Sequence, residues 1–400
     1  MAEKSLSFPN GFLWGAATSS YQIEGGIEND WSKWEKSASR IRDLKRRGLH
    51  PTDFQSGKAA NSWEMMEEDI ECLKKINATA YRFSIEWARV EPQEGKFDEA
   101  VLKKYTHFVK RLQEEGIEPF VTLWHWPVPL WLHKKGGWAK PMIVDYFKKY
   151  SERIVRTMPD VTFWITLNEP NIFVGDSFLT GKWPPQKKNL FAYYRVLCHM
   201  VCAHRKVYDM IKNINSQTQI GIASPNIYFE AAGGFINRLL KAGADWWWNH
   251  WFLDRIKDKQ DFIGLNFYFH NLINYGFTKN KNERVSDFGW ELYPKGMYYV
   301  LKDLEKRYHK PIYITENGLA DEKDTQRAWY IMEILKNIHR ALSEGIDVRG
   351  YMHWSLIDNF EWAEGFTKKF GLFEVDRKTF ERRPRSSVKV FAEIAKHNAL

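Results

Sequence analysis

The sequence predicts a single (β/α)8 TIM barrel with enlarged loops at the C-terminal face of its strands, one domain over residues 1–400. Three observations predict it. Eight short runs are apolar at nearly every position, as parallel strands buried on both faces require. A stretch with apolar residues three and four apart follows each run, the period of a helix with one buried face. No Ser/Gly linker, low-complexity block or composition shift divides the 400 residues. Regular β–α alternation of this kind closes a parallel sheet into a barrel.

The elements follow in order. Strand one is Phe12–Ala17 (FLWGAA), and its helix is Trp63–Ile76, where Met66, Ile70, Leu73 and Ile76 share a face. Strand two, Ala78–Ile85 (ATAYRFSI), leads to a helix over Val101–Glu115. Strand three, Pro119–Trp124 (PFVTLW), leads to Met142–Met158. Strand four, Thr162–Leu167 (TFWITL), leads to the longest periodic stretch, Leu190–Ile214. Strand five, Gln219–Ser224 (QIGIAS), precedes a helix over Asp245–Ile256. Strand six, Phe262–Tyr268 (FIGLNFY), precedes Gly296–Tyr308. Strand seven, Pro311–Thr315 (PIYIT), precedes Thr325–Leu342. Strand eight, Val348–Trp354 (VRGYMHW), precedes Pro384–His397. A bare barrel needs about 250 residues. The remainder is loop, and in this fold the working loops follow the strands.

Composition excludes other classes. With 44% hydrophobic and 27% charged residues, disorder, collagen and coiled coil drop out. The net charge of +9 raises the question of nucleic acid. Basic and acidic residues are interleaved, and the short runs Arg40–Arg47 and Arg382–Arg385 read as solvated surface. The most apolar stretch, Phe120–Leu132, is shorter than the 18 or so residues of a membrane span. Met1–Asn10 carries no apolar leader core. Three cysteines, Cys72, Cys198 and Cys202, suit a reducing compartment rather than a disulfide framework. A cytoplasmic protein is expected, with no membrane or nucleic-acid partner and no cofactor or metal. Aromatic content is unusual: 19 Trp suggest flat apolar platforms of the kind that grip sugar C–H faces.

Polar residues gather where the strands end. Strand four runs into Asn168-Glu169-Pro170 and strand seven into Glu316-Asn317-Gly318. Strand one leads to Gln22, strand two carries Arg82, and strand three ends at His125. Strand six holds Asn266 and Tyr268, and strand eight ends at Trp354. A barrel brings these ends to one mouth. Glu169 and Glu316 lie three strands apart in a ring of eight, so they face each other. Paired carboxyls of this kind suit glycosidic cleavage: one protonates the leaving oxygen, the other attacks the anomeric carbon or activates water. A lone Glu at a strand end is more often a structural ion pair; the pair with Arg, amides and Trp around it is not.

These residues carry a resemblance. The run Phe12–Gly25 (FLWGAATSSYQIEG), Tyr81-Arg82-Phe83-Ser84, Thr166–Pro170 (TLNEP), Ile314–Gly318 (ITENG) and Asp358–Trp362 (DNFEW) stand in the order found in glycoside hydrolase family 1. The chain resembles a β-glycosidase of that family from Phe12 to Pro384. Tyr293–Gly296 and Phe380–Pro384 are similar to its archaeal and thermophilic bacterial branch. The resemblance implies Glu316 as nucleophile and Glu169 as acid/base. It implies that Gln22, His125, Asn168, Trp354, Glu361 and Trp362 grip the non-reducing sugar. It implies that Arg82, Asn266 and Tyr268 orient the nucleophile. The expected substrate is a β-linked di- or oligosaccharide, or an aryl or alkyl β-glycoside. Glu361-Trp362 implies an unphosphorylated sugar. Phe267 and Lys369 depart from the family's usual Tyr and Arg.

Length is the larger departure. Ser224–Asp261 is short for the family, which predicts a more open aglycone side and ready proteolysis between Ser224 and Trp246. A sugar-binding barrel whose catalysis weakened with that rim is the rival reading. Two further clusters are expected to be structural. Cys198–His204 offers Cys and His at helical spacing without a metal-site signature. Trp246–Trp248 and Trp251 are expected to pack against the barrel.

Overall fold

The computed structural model describes residues 6–400. The reading of Met1–Asn10 therefore falls partly outside the described residues. Eight parallel strands close in sequence order: β1 Leu13–Ala17, β2 Ala80–Ser84, β3 Glu118–Thr122, β4 Phe163–Asn168, β5 Gln219–Ala231, β6 Ile263–Ile273, β7 Ile312–Asn317 and β8 Val348–Trp354. The eight predicted strands and their order are all present. The predicted helices are present within a few residues of their expected ends, for example Met66–Lys75 and Glu99–Glu114. Asp98 caps the second of these by accepting from the amides of Ala100 and Val101, satisfying orphan donors of the first turn.

Aromatic rings plug the lower half of the barrel. Phe120 stacks on Phe163 at 4.2 Å between centroids and meets Tyr313 at 5.2 Å; Phe262 meets Tyr313 at 5.3 Å. Small residues such as Ala17, Ala80 and Ala223 share this cluster. Large rings beside small neighbours fill the narrow bore and leave the upper end for chemistry.

Three differences from expectation are physical. First, β5 and β6 run on past the mouth, paired from Ile227↔Phe269 to Ala231↔Ile273. The next helix starts at Phe235 and passes through a π-turn at Trp246–His250 into Trp251–Ile256. The stretch expected to be an open, protease-prone loop is thus mostly strand and helix, because the extended ladder satisfies its backbone. Second, Arg382–Pro384 is a strand paired with Phe373–Val375, and the last helix begins at Ser387. Third, Arg382–Arg385 is only partly a solvated run: Arg383 and Pro384 are exposed, but the two end residues are not. Arg382 is buried against Asp69 at 2.9 Å, and Arg385 against Asp358 at 2.8 Å. The second pair fixes the loop after β8, which carries Glu361.

Trp251 is buried and Trp247 partly buried, as expected, but Trp246 is 43% exposed. His204 is buried between Thr166 Oγ1 (2.7 Å) and the Lys259 carbonyl (2.6 Å), a structural role. Cys72 is buried, while Cys202 is exposed.

Candidate active site

Backbone irregularities aim the key side chains. The β4–β5 register shifts between Ile165 and Asn168, and the β7–β8 register between Ile314 and Asn317. Such bulges redirect side chains at barrel rims. Glu169 then adopts φ +44° directly before Pro170. A left-handed non-glycine residue of this kind stores roughly 1–3 kcal/mol of strain, held here by the Glu169 amide donating to the Ala223 carbonyl at 2.8 Å. Gly318 is required after Glu316-Asn317: a Cβ there would lie 1.8 Å from the Trp354 carbonyl oxygen.

Arg82 sits at the centre, fully buried. Its guanidinium donates to Glu316 Oε1, to Asn168 Oδ1 (2.6 Å), to the Thr315 carbonyl (3.3 Å) and to Thr122 Oγ1 (3.2 Å). Tyr268 donates its hydroxyl to Glu316 Oε2 at 2.9 Å. Asn266 Nδ2 donates to Glu169 Oε1 at 3.0 Å. Asn168 Oδ1 is taken by Arg82, so its amide N–H must face His125 Nε2, 3.1 Å away. Nε2 therefore accepts and Nδ1 carries the proton. That Nδ1 is buried without a protein partner, an unspent donor. Burial and the Arg82 charge hold the His125 pKa well below its ordinary value, so the ring is neutral.

The two carboxyls are not equivalent. Burial first, and the Glu316 charge second, push Glu169 up to about 8, opposed mainly by Asn266. Burial also raises Glu316, but Arg82, Tyr268 and Asn266 oppose it. Glu316 has the better-compensated charge and is the first of the pair to ionise. Burial, then the Glu316, Glu364 and Glu169 charges, push Glu361 up to about 8. Gln22 Nε2 ties Glu361 Oε2 (3.3 Å) to the Phe360 carbonyl (3.0 Å).

The cavity above holds about 410 Å³, inside the range of small-molecule sites. Of the residues anticipated from sequence, Gln22, His125, Glu169, Tyr268, Glu316, Trp354, Glu361 and Trp362 line it. Arg82, Asn168 and Asn266 lie beneath, holding the lining groups. Arg82, Asn266 and His125 engage the side-chain amide of Asn168, which was expected to touch sugar.

Sequence reasoning missed much of the wall. Trp126 and Trp183 form one side, with Trp126 centred 4.6 Å from Trp183 and 4.5 Å from Trp362. Phe288 and Trp290, stacked at 4.1 Å, form another with Phe269 and Ile172. Trp126 follows the strand-end His125 directly, which was a readable signal. Phe288 and Trp290 come from the long connection after β6, which has no period to read. None of the lining residues comes from 224–261. A larger recess of about 680 Å³ opens around His270, Glu230 and Glu291, but it holds neither Glu169 nor Glu316. Asp245, His250 and Asp303 could converge on a metal. They are instead engaged by Lys241 (3.2 Å), Asn249 (2.6 Å) and Tyr308 (3.0 Å), with His250 to Asp303 at 2.6 Å.

A barrel mouth with two unequal buried carboxyls, an aromatic wall and a row of amides defines a glycosidase-type site. The chain belongs to glycosyl hydrolase family 1, whose profile it matches over residues 4–256 and 237–400. It is 32% identical to beta-glucosidase A of Thermotoga maritima, covering 98% of each chain. That alignment runs over 446 positions, more than this chain contains, so the relative carries segments absent here. It is 31% identical to a beta-galactosidase of Pyrococcus woesei, again over 98% of each. Among solved structures, a beta-glycosidase from Pyrococcus horikoshii superposes with a TM-score of 0.90 at 37% identity, over 99% of this chain and 96% of that one. Among the described residues, no helix is long and apolar enough to cross a membrane.

Proposed function

We propose that this chain is a cytoplasmic, single-domain retaining exo-β-glycosidase, releasing β-linked glucose or galactose from the non-reducing end. Glu169, protonated, delivers its proton to the glycosidic oxygen while ionised Glu316 attacks the anomeric carbon from the opposite face. A glycosyl–Glu316 ester forms and the aglycone leaves. Glu169, now a carboxylate, takes a proton from water, which attacks the same carbon and expels Glu316. The observation that carries this reading is the unequal support of the two carboxyls: Arg82 and Tyr268 on Glu316, only Asn266 on Glu169. Two acids that titrate apart divide the roles of nucleophile and proton donor.

The His125 Nδ1–H, Gln22 and Glu361 supply the polar grip on the sugar, and Trp354 and Trp362 its flat walls. Among the described lining residues, Lys182 alone is cationic, which favours a neutral glycone. Relatives named for glucose and for galactose leave both in range. Beyond the sugar, Phe269, Phe288 and Trp290 offer an apolar bed for the aglycone.

Proton NMR of 4-nitrophenyl β-glucoside or β-galactoside hydrolysis tests the reading. The β-anomer of the free sugar should appear first and mutarotate later. First appearance of the α-anomer, or no turnover of either substrate, refutes it. A smaller effect is expected from Glu361→Ala. Losing the acceptor for two sugar hydroxyls, at about 1–3 kcal/mol each, should lower kcat/KM on the order of a hundredfold. An unchanged kcat/KM removes Glu361 from the sugar site.

A further inference from the structure

One helix of this barrel is inside out. Phe235–Asp245 and the turn after it place Phe235, Ile236, Leu239 and Trp246 outward, each 43–68% exposed. Ala242 and Gly243 fall on the same exposed stripe. The face toward the barrel mixes the half-buried Leu240 and Ala244 with polar groups. Asn237 is buried, bonded to the Gly233 carbonyl (2.8 Å) and the Tyr275 amide (2.7 Å), and Lys241 pairs with Asp245 at 3.2 Å. A helix on a soluble barrel ordinarily buries its apolar stripe, so this one is built to meet something outside the chain.

The apolar surface continues on both sides. Trp246 adjoins Trp247, which faces Tyr193, while Tyr194 meets Trp251. This joins the stripe to the start of the Leu190–Ile214 helix, where Leu190 is 65% and Phe191 88% exposed. On the other side, the Asn237–Tyr275 bond joins it to the segment after β6, where Tyr275 and Phe277 are exposed. Three segments that follow β4, β5 and β6 thus form one exposed aromatic and aliphatic face, larger than scattered surface residues explain.

Charge identifies what this face meets. Residues 187–195 contain Lys187, Lys188 and Arg195 and no acid, all three exposed. Arg238 is exposed on the helix itself, and the exposed Lys279 follows Phe277, with Lys281 beyond it 3.9 Å from Glu283. Two copies brought together through this face would set like charges against each other. A bilayer carrying anionic headgroups would instead take the rings and aliphatic side chains at its interface and pair the cations with phosphate. The helix has 11 residues, too short to span, so it would lie flat. We propose that this face docks the protein peripherally on an anionic lipid surface, independently of what the barrel hydrolyses.

Vesicle co-sedimentation of the full chain tests this. The wild type should pellet with vesicles of equimolar phosphatidylcholine and phosphatidylglycerol at low salt. Retention should fall with added salt and with pure phosphatidylcholine. Phe191→Ser combined with Phe235→Ser and Leu239→Ser should cut the bound fraction on the order of tenfold or more. Lys187→Glu with Lys188→Glu and Arg238→Glu should do the same on the mixed vesicles. All six side chains are exposed, so both variants should keep the wild-type circular-dichroism melt. A wild type that stays in the supernatant, or variants that pellet equally well, overturn the proposal. So does a concentration-dependent dimer in light scattering that the serine variant abolishes without any vesicle binding, which would make the face a self-interface.

Discussion

Glu316→Gly should abolish hydrolysis of β-glycosides. Without the carboxylate no glycosyl ester forms, and a loss on the order of 10⁶-fold is the scale seen when a covalent nucleophile is removed. The vacated space adjoins Arg82 and Tyr268, whose donors to Glu316 remain. A small anion such as azide can occupy it and attack the anomeric carbon of an activated substrate. Turnover of 2,4-dinitrophenyl β-glucoside should return with azide, and the product should be the α-glycosyl azide. A β-glycosyl azide, or full activity without azide, refutes the role of Glu316.

Glu169→Ala should divide substrates by leaving group. For poor leaving groups the loss should approach the 10²–10⁴-fold typical of general acid catalysis. For 2,4-dinitrophenol the first step needs no proton, so ester formation should persist and its hydrolysis become limiting. Azide should then release the β-glycosyl azide. The pH profile provides a second reading. Glu169 acts protonated, and burial with the Glu316 charge holds it up to about 8. Wild-type kcat/KM should therefore fall as pH rises through about 8, and that basic limb should flatten in the variant. The acid limb, set by ionisation of the pair's first proton, should stay. A basic limb that persists unchanged points to a different acid.

The strands were legible because their signal is local. Each run is apolar on both faces, and eight such runs with intervening helices admit few closures. Glu169 and Glu316 were legible for the same reason: strand ends of a barrel converge wherever the loops go. Tertiary structure decided the rest. Phe288 and Trp290 reach the cavity from a connection without period. That Asn168 also links Arg82, Asn266 and His125 beneath the cavity could not be read from its strand-end position. Arg382 and Arg385 read as surface because their partners, Asp69 and Asp358, lie far off in sequence. The helix Phe235–Asp245 lies where an open loop was expected, and its residue spacing by itself says only that one face is apolar. Which way that face turns depends on the extended β5–β6 ladder and on Asn237 and Lys241 beneath it. Those are contacts between distant segments, and a local pattern carries no information about them.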